Sequence, residues 1–144
     1  MAIKKIACCV DFSDHAAQAF EQALEIAERF QAKLYLVHVL PPVVNPVLSD
    51  LELDWPTEPK KSLILKIEEK MAREYGAKIN PKVTSRIVVM DGHVSSEIIT
   101  FLEEKDIDLV IVGSYGASGM GLVVFGSVAN RIARKAPCSV MIVR

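Results

Sequence analysis

Apolar residues along this chain follow two patterns, one of short continuous runs and one in which they recur every three or four positions. Five short runs are mostly apolar on consecutive positions, with little alternation between apolar and polar side chains. Runs of this kind are typical of parallel strands that are covered on both faces. The predicted strands are residues 3–10, 33–40, 82–89, 109–112 and 138–143.

Two amphipathic helices are predicted in the first half of the chain, because apolar residues there keep the helical spacing. The first follows a capping Ser13 or Asp14, and the second covers residues 60–75 and ends at Gly76, which suits the C′ position. The apolar stripe of the first helix is Ala16, Phe20, Ala23, Leu24, Ala27 and Phe30. The inward positions of the second helix are Leu63, Ile64, Ile67 and Met71.

Two further helices are predicted in the second half. The third runs from about Ser95 or Ser96 to Lys105, and the fourth begins near Gly126 and Ser127 and ends before a proline. The third helix is predicted to bury Ile98, Ile99 and Leu102. The fourth has an apolar stripe of Val128, Ile132 and Ala136 and cations in its last turn.

Strands and helices alternate along the whole chain, which is the pattern of the α/β class. Right-handed crossovers then place the helices on both faces of a parallel sheet. With 144 residues, a single domain covering residues 1–144 is the natural expectation. We predict a doubly wound, five-stranded parallel sheet with strand order 3-2-1-4-5. Five prolines in residues 41–59 predict an irregular loop, of a length that is usually functional or mobile.

The charge balance gives no reason to expect nucleic acid or anionic lipid as a partner. The chain has 17 basic and 18 acidic residues, a net charge of −1, and therefore no long-range field of one sign. Its N-terminal apolar run breaks at Asp11, too early for a membrane span, and no signal-peptide cleavage region follows. We expect a cytoplasmic protein that contacts neither nucleic acid nor a membrane.

Three cysteines, Cys8, Cys9 and Cys138, raise the question of a disulfide, a redox role or a metal site. Adjacent residues of a strand point to opposite faces, so Cys8 and Cys9 are poorly placed for a bridge. We expect reduced cysteines in the core, with redox and metal roles as the alternatives.

In a doubly wound sheet, ligands bind beyond the carboxyl ends of the strands, where the strand order reverses. The loops at that place follow the first, second and fourth strands, near Asp11, Val39 and Gly113. The third of these loops leads to the helix start at Ser127, where amides without intrahelical partners and the helix dipole favour a phosphate. Its glycines are Gly113, Gly116, Gly119, Gly121 and Gly126.

Two common nucleotide fingerprints do not fit this loop. The P-loop pattern G-x-x-x-x-G-K-[ST] is nearly met by residues 121–127, but no lysine precedes Ser127. The dinucleotide fingerprint lacks its third glycine after Gly119 and Gly121, and the turn after the first strand has no glycine at all. A P-loop NTPase and a dinucleotide-dependent enzyme are therefore not expected.

The remaining pattern, Gly113-x2-Gly116-x9-Gly126-Ser127, resembles the nucleotide signature of the universal stress protein family, in its ATP-binding branch. Segments along the whole chain share the resemblance, and these are Asp11-Phe-Ser13, Leu36-Val-His-Val39, Gly92, Asp108-Leu-Val-Ile-Val-Gly113 and Pro137-Cys-Ser-Val-Met-Ile-Val143. The resemblance implies a Rossmann-like fold of the adenine nucleotide α-hydrolase type. It also implies a cytoplasmic stress-response protein that binds ATP or another adenine nucleotide, with Mg2+ or Mn2+ as an accompanying ion.

The resemblance implies a role for eight residues. Asp11 approaches the ribose or the nucleotide-bound metal ion, and Val39 with its neighbouring backbone holds the adenine. Val112 and Gly113 pass beside the ribose. The residues implied to donate hydrogen bonds to the phosphates are Gly116, Gly126, Ser127 and Val128. Relatives in the family pair through the last strand, and the apolar edge at residues 138–143 therefore predicts a homodimer.

Several alternatives stay open at this level. Many relatives have Arg or Lys between the second and third glycines, whereas residues 117–125 contain neither, so the number of bound phosphates is undecided. Asp11 and Ser127 are also suitable helix caps, and His38 is expected to be a packed histidine. His15 and His93 are expected to face solvent.

Function also has alternatives. A regulatory or sensing role ranks first because no catalytic constellation or metal-ligand spacing is recognisable, although slow ATP hydrolysis or autophosphorylation is compatible with the sequence. The other two candidates are an ATP-hydrolysing enzyme of the nucleotide α-hydrolase type and a protein-interaction dimer whose glycine loop is vestigial.

Overall fold

The computed structural model of the protein describes residues 2–42, 60–115 and 126–144. Residues 43–59 of the proline-rich segment and Gly116 lie outside the described residues. The irregular loop and the phosphate contact predicted for them therefore stay predictions.

The described residues form a five-stranded parallel sheet in the order β3-β2-β1-β4-β5, as predicted. The strands are β1 (Lys5–Cys9), β2 (Lys33–Leu40), β3 (Ser85–Asp91), β4 (Leu109–Gly113) and β5 (Ser139–Val143). The helices are α1 (Asp14–Phe30), α2 (Lys60–Glu74), α3 (Val94–Glu104) and α4 (Ser127–Lys135), with a 3-10 turn at Gly76–Lys78. The predicted fold class is confirmed.

Side chains of successive strand residues enter two separate cores, one on each face of the sheet. Ile6 and Cys8 belong to the core that α1 and α2 cover, whereas Ala7 belongs to the core that α3 and α4 cover. All three are fully buried, which explains why β1 has no polar positions between its apolar ones. Cys9 packs against the second core, so the two adjacent cysteines lie on opposite faces as predicted, and the cysteines are free thiols.

Helix α1 begins at the predicted cap. The Ser13 hydroxyl accepts a hydrogen bond from the Ala16 amide at 3.2 Å, and the helix ends where Gln31 adopts a left-handed conformation with φ of 53°. Four residues of the predicted stripe are buried and Leu24 is partly buried, whereas Phe30 is 53% exposed. Phe30 lies in the last turn, beside the turn into β2. The spacing of apolar residues indicates which face of a helix is buried, but not how far along the helix its partner surface extends.

Helix α2 packs on the sheet through its C-terminal part, which corrects the prediction that Leu63 points inward. Met71 is fully buried and Ile67 partly buried, whereas Leu63 is 39% exposed. The helix ends at Glu74 rather than Tyr75, and Gly76 begins a 3-10 turn without the left-handed conformation that is typical of a C′ glycine.

The predicted starts of β3 and α3 are wrong by a few residues. In both places a side chain just before the element forms a hydrogen bond with a backbone amide, and this bond decides where the element begins. The Asn80 side chain accepts from the Lys82 amide at 3.0 Å, so residues 80–83 form a turn and β3 starts later than predicted, at Ser85. His93 caps α3 by accepting from the Ser96 amide at 3.4 Å, which starts that helix at Val94. As predicted, His93 is exposed.

Candidate functional site

A cavity of about 470 Å³ lies where the carboxyl ends of β1, β2 and β4 meet the start of α4. Strand β1 pairs with β2 on one side and with β4 on the other, so the cavity lies at the point where the strand order reverses. Seven of the eight predicted site residues line it, namely Asp11, Val39, Val112, Gly113, Gly126, Ser127 and Val128. The eighth, Gly116, is outside the described residues. The structure thus brings together residues that are more than 100 positions apart in the sequence.

One wall of the cavity is apolar and consists of residues that were not predicted to contact the ligand. Val37 of β2 is buried two positions before Val39, on the same face of the strand. Val94 and Ile98 line the cavity from α3, and Ala129 lines it from α4. Of these three helical residues, the spacing of apolar positions predicted burial only for Ile98, and no local pattern shows that α3 reaches the carboxyl edge of β2. An apolar wall suits a flat ring system such as a nucleobase.

The start of α4 adds polar backbone groups to the lining. Gly126 is the N-cap of α4, in an extended conformation with φ of −63° and ψ of 161°, and no side chain of the described residues caps this helix. The amide of Gly126 donates to the Ser114 carbonyl at 2.6 Å, and the carbonyl of Gly126 accepts from Asn130 to begin the helix. Ser127 is therefore the first helical residue rather than the cap. Its amide and that of Val128 belong to the first turn, where amides have no intrahelical acceptor.

Asp11 lies beside the cavity in a turn that its own carboxylate shapes. Its Oδ1 atom accepts from the amide of Ser13 at 3.0 Å and from the Ser13 hydroxyl. Ser13, not Asp11, caps α1, so the simple capping interpretation of Asp11 is wrong. Among the residues that the structure describes, no group of three His, Cys, Asp or Glu side chains is arranged to hold a metal ion.

Gly113 is required for a close contact rather than for a turn. A Cβ atom at this position would lie 2.9 Å from both the carbonyl carbon and the carbonyl oxygen of His15. Strand β4 and the first turn of α1 therefore approach each other more closely than any residue with a side chain permits.

The histidines nearest the cavity have structural partners. His38 places Nδ1 at 2.7 Å from the Val10 carbonyl, so Nδ1 carries the proton and the ring is packed as predicted. His15 is only partly exposed, which corrects its predicted solvent-facing position. Its ring makes an edge contact with Tyr115 at 5.3 Å, and its Nδ1 atom is buried without a hydrogen-bond partner among the described residues.

Cys9 lines the cavity as a protonated thiol. Burial, together with the nearby Cys138 and Asp11, raises its pKa to about 12. Burial also raises the pKa of Cys8 and of Cys138 above the usual value. Because the thiolate is the form that attacks electrophiles and binds metals, these pKa shifts support the prediction of reduced structural cysteines.

Comparison with known proteins identifies the family. A profile of the Universal stress protein family matches residues 2–144. The chain belongs to the universal stress protein family. Universal stress protein MJ0531 of Methanocaldococcus jannaschii is 33% identical over 146 residues, covering 98% of this chain and 82% of that protein. Universal stress protein YxiE of Bacillus subtilis is 30% identical over 149 residues, covering 97% and 98%.

Solved structures of this family share the fold. The universal stress protein UspA from Lactobacillus plantarum has a TM-score of 0.72 at 25% identity, covering 100% of this chain and 99% of that one. A universal stress protein in complex with cAMP has a TM-score of 0.67 at 24% identity, covering 100% and 99%. The protein from Archaeoglobus fulgidus in complex with dAMP has a TM-score of 0.62 at 22% identity, covering 100% of both chains. The resemblance inferred from the glycine spacing is confirmed at the level of the family and the Rossmann-like fold.

The described part of the chain contains no helix that is both long enough and apolar enough to cross a membrane.

Proposed function

We propose that this universal stress protein binds an adenine nucleotide in the cavity at the strand-order reversal and has a regulatory or sensing role in the cytoplasm. The observation that carries the proposal is the pairing of an apolar wall with the uncapped start of α4 in one cavity. A nucleotide needs both surfaces, one for its base and one for its phosphate. The cAMP and dAMP complexes of proteins with this fold support adenine as the base.

The geometry suggests one orientation of the ligand. The adenine packs against the wall that contains Val37 and Ile98, with the backbone of Val39 at its edge. We place the ribose beside Asp11 and Gly113, which also line the cavity. The phosphate lies at the amides of Ser127 and its neighbours in the first turn of α4, where the positive end of the helix dipole adds to the attraction.

The charge of the cavity favours a nucleotide with few phosphates. Its described lining contains the Asp11 carboxylate and no lysine or arginine. The two segments outside the description add no lysine or arginine either, because residues 43–59 and 116–125 contain neither in their sequence. A monophosphate is matched by the amides of one helix start, whereas a triphosphate concentrates more negative charge beside Asp11. We therefore propose that AMP-like ligands bind without a metal ion and that ATP binds only with Mg2+ or Mn2+.

Replacing Ser127 tests the phosphate contact without disturbing the helix. Proline is well tolerated at the first helical position, and Gly126 before it already has the extended conformation that a following proline requires. Ser127→Pro removes the amide hydrogen and the hydroxyl, whereas the matched control Ser127→Ala removes the hydroxyl alone. The difference between the two variants therefore isolates the amide.

Calorimetric titration with AMP should show that Ser127→Pro binds more weakly than Ser127→Ala by about 1.5–3 kcal/mol, or roughly 10- to 100-fold, as expected for a hydrogen bond to a charged group. Equal affinities of the two variants would show that the Ser127 amide does not contact the phosphate. No binding of AMP, ADP or ATP to the wild type, with or without Mg2+, would refute the proposed function itself.

The sheet edge supports the alternative of an interaction module, and we propose a homodimer with either function. Strand β5 pairs only with β4 in the described sheet, and its apolar residues Val140, Met141, Ile142 and Val143 are only half-buried. Apolar strand edges of this kind tend to pair with another chain. Light scattering should give twice the monomer mass. A monomer would contradict the dimer, and a dimer that binds no nucleotide would favour the interaction module with a vestigial loop.

A further inference from the structure

The residue that follows Asp11 has an unusual backbone conformation. Phe12 has φ of 66°, in the left-handed region that residues with bulky side chains rarely adopt. Phe12 lies between Asp11, which lines the cavity, and Ser13, which caps α1, so its conformation sets how these two residues are placed relative to each other. A conformation of this kind persists only where the surrounding structure holds it in place.

The ring of Phe12 is held from three sides. It lies 5.8 Å from the ring of Tyr75 in a stacked arrangement and 5.1 Å from the ring of His38 in a tilted one. The ammonium group of Lys70, from α2, lies 4.2 Å from the centre of the Phe12 ring. We call these four residues the Phe12 clamp. The clamp packs on the core that α1 and α2 cover, whereas the apolar wall of the cavity belongs to the opposite core.

Members of the clamp also hold the backbone on both sides of Asp11. The Nδ1 group of His38 donates to the carbonyl of Val10, at 2.7 Å. Tyr75 is buried, and the Phe12 backbone lies near enough to its hydroxyl to lower the phenol pKa, against the larger upward effect of burial. Simple filling of the core does not require the His38 hydrogen bond, because an apolar residue of similar size fills the same space. The contacts converge on the three-residue segment that has Asp11 at its centre.

We propose that Phe12 is a positioning residue of the nucleotide site, which acts by fixing the Asp11 carboxylate beside the cavity through the Phe12 clamp. The proposal rests on the proposed function, since it assumes that Asp11 contacts the bound nucleotide. It extends the site to the other face of the sheet. It also links the site to α2, the helix that follows residues 43–59 in the sequence.

A double-mutant cycle between Phe12 and Asp11 tests this mechanism. Phe12→Leu keeps an apolar side chain but removes the stacking and cation–π contacts, and we expect AMP affinity to fall about tenfold. In the Asp11→Asn background, Phe12→Leu should lower AMP affinity less than about twofold, because the contact through which Phe12 acts is already lost. An equal loss in both backgrounds would show that Phe12 only fills the core, and would overturn the proposal.

A second pair of variants avoids any risk to folding. Lys70→Met removes the cation over the Phe12 ring and keeps a long apolar side chain, whereas Lys61→Met removes a charge from an exposed position of the same helix. We expect Lys70→Met to weaken AMP binding about threefold, and Lys61→Met to leave it unchanged. Equal affinities of the two variants would contradict the clamp.

A measurement without nucleotide separates failure of this proposal from failure of the proposed function. The Ser13 amide donates to Asp11 Oδ1 at 3.0 Å, so its hydrogen exchange reports whether the carboxylate is held. Exchange should be faster in Phe12→Leu and Lys70→Met than in the wild type and Lys61→Met. If exchange is unchanged, the clamp does not position Asp11. If exchange is faster but the wild type binds no nucleotide, the proposed function is wrong, and with it the role of Asp11 in binding.

Discussion

Replacing Gly113 with alanine perturbs the closest contact between the sheet and α1. The new methyl group would lie 2.9 Å from the carbonyl carbon and oxygen of His15 and 3.0 Å from its Cβ atom. The obstacles are backbone atoms at the start of a helix, which cannot rotate away as the end of a flexible side chain can. Strand β4 and α1 must therefore move apart.

The size of the effect follows from this geometry. A comfortable carbon contact needs about 3.5–4.0 Å, so the two elements must separate by more than half an ångström, as a rough estimate. Overpacking of this kind costs about 1–3 kcal/mol of unfolding free energy. For a protein of this size, that cost corresponds to a melting temperature lower by roughly 2–12 °C.

The matched control is Gly76→Ala. A Cβ atom at Gly76 would meet its nearest neighbour, Ile87 Cδ1, at 3.8 Å, which is an ordinary contact. This variant should be neutral or more stable than the wild type by up to about 1 kcal/mol, because alanine reduces the freedom of the unfolded chain. Urea unfolding of both variants without nucleotide measures the difference. If Gly113→Ala is as stable as Gly76→Ala, the close approach of β4 to α1 is not what requires glycine.

Three further outcomes are expected. In EDTA, titration should show AMP binding more tightly than ATP, with Mg2+ removing most of the difference; tighter ATP binding in EDTA would contradict the charge argument. Because its pKa is about 12, Cys9 should have a thiolate fraction of only about 10⁻⁴ at pH 8. It should therefore resist thiol reagents until the protein unfolds, as mass spectrometry of labelled peptides can verify. Backbone hydrogen bonds from Lys4 and Lys5 lower the pKa of Asp108, so its charge stabilises the fold above the unfolded-state pKa of about 3.9. Urea unfolding measures the difference in stability between the wild type and Asp108→Asn. This difference should be present at pH 7 and should disappear as the pH falls through the folded-state pKa of Asp108, which is the lower of its two pKa values. A difference that does not change with pH would contradict the stabilising role of the Asp108 charge.

The spacing of apolar residues was sufficient to predict the α/β class, because the geometry of a strand and that of a helix each impose their own spacing on buried side chains. A strand buried on both faces needs consecutive apolar residues, as at Ile6, Ala7 and Cys8, and a covered helix needs them every three or four positions. The boundaries were less predictable at Ser85 and His93, because there the hydrogen bonds of single side chains decide where an element starts.

The glycine spacing indicated which residues belong to the candidate site, but not why each of them is needed. Seven of the eight indicated residues line one cavity, yet the requirement for glycine at position 113 comes from the backbone of α1, about 100 positions earlier in the chain. The partial burial of His15 has the same origin, since its neighbour Tyr115 follows β4. No local pattern contains either contact.

The sequence by itself was enough to predict the strands, the helical faces, the spacing of the glycines and the family. Each of these depends on residues that are close together in the sequence or that follow one another in a fixed order. Only the tertiary structure decided the walls of the cavity and the Phe12 clamp. Val37 and Ile98 face the same cavity, and Lys70 reaches Phe12, because the sheet and its helices fold distant segments together. The physical reason is that a site depends on distances through space, whereas local patterns report only which surfaces are apolar and where the chain turns.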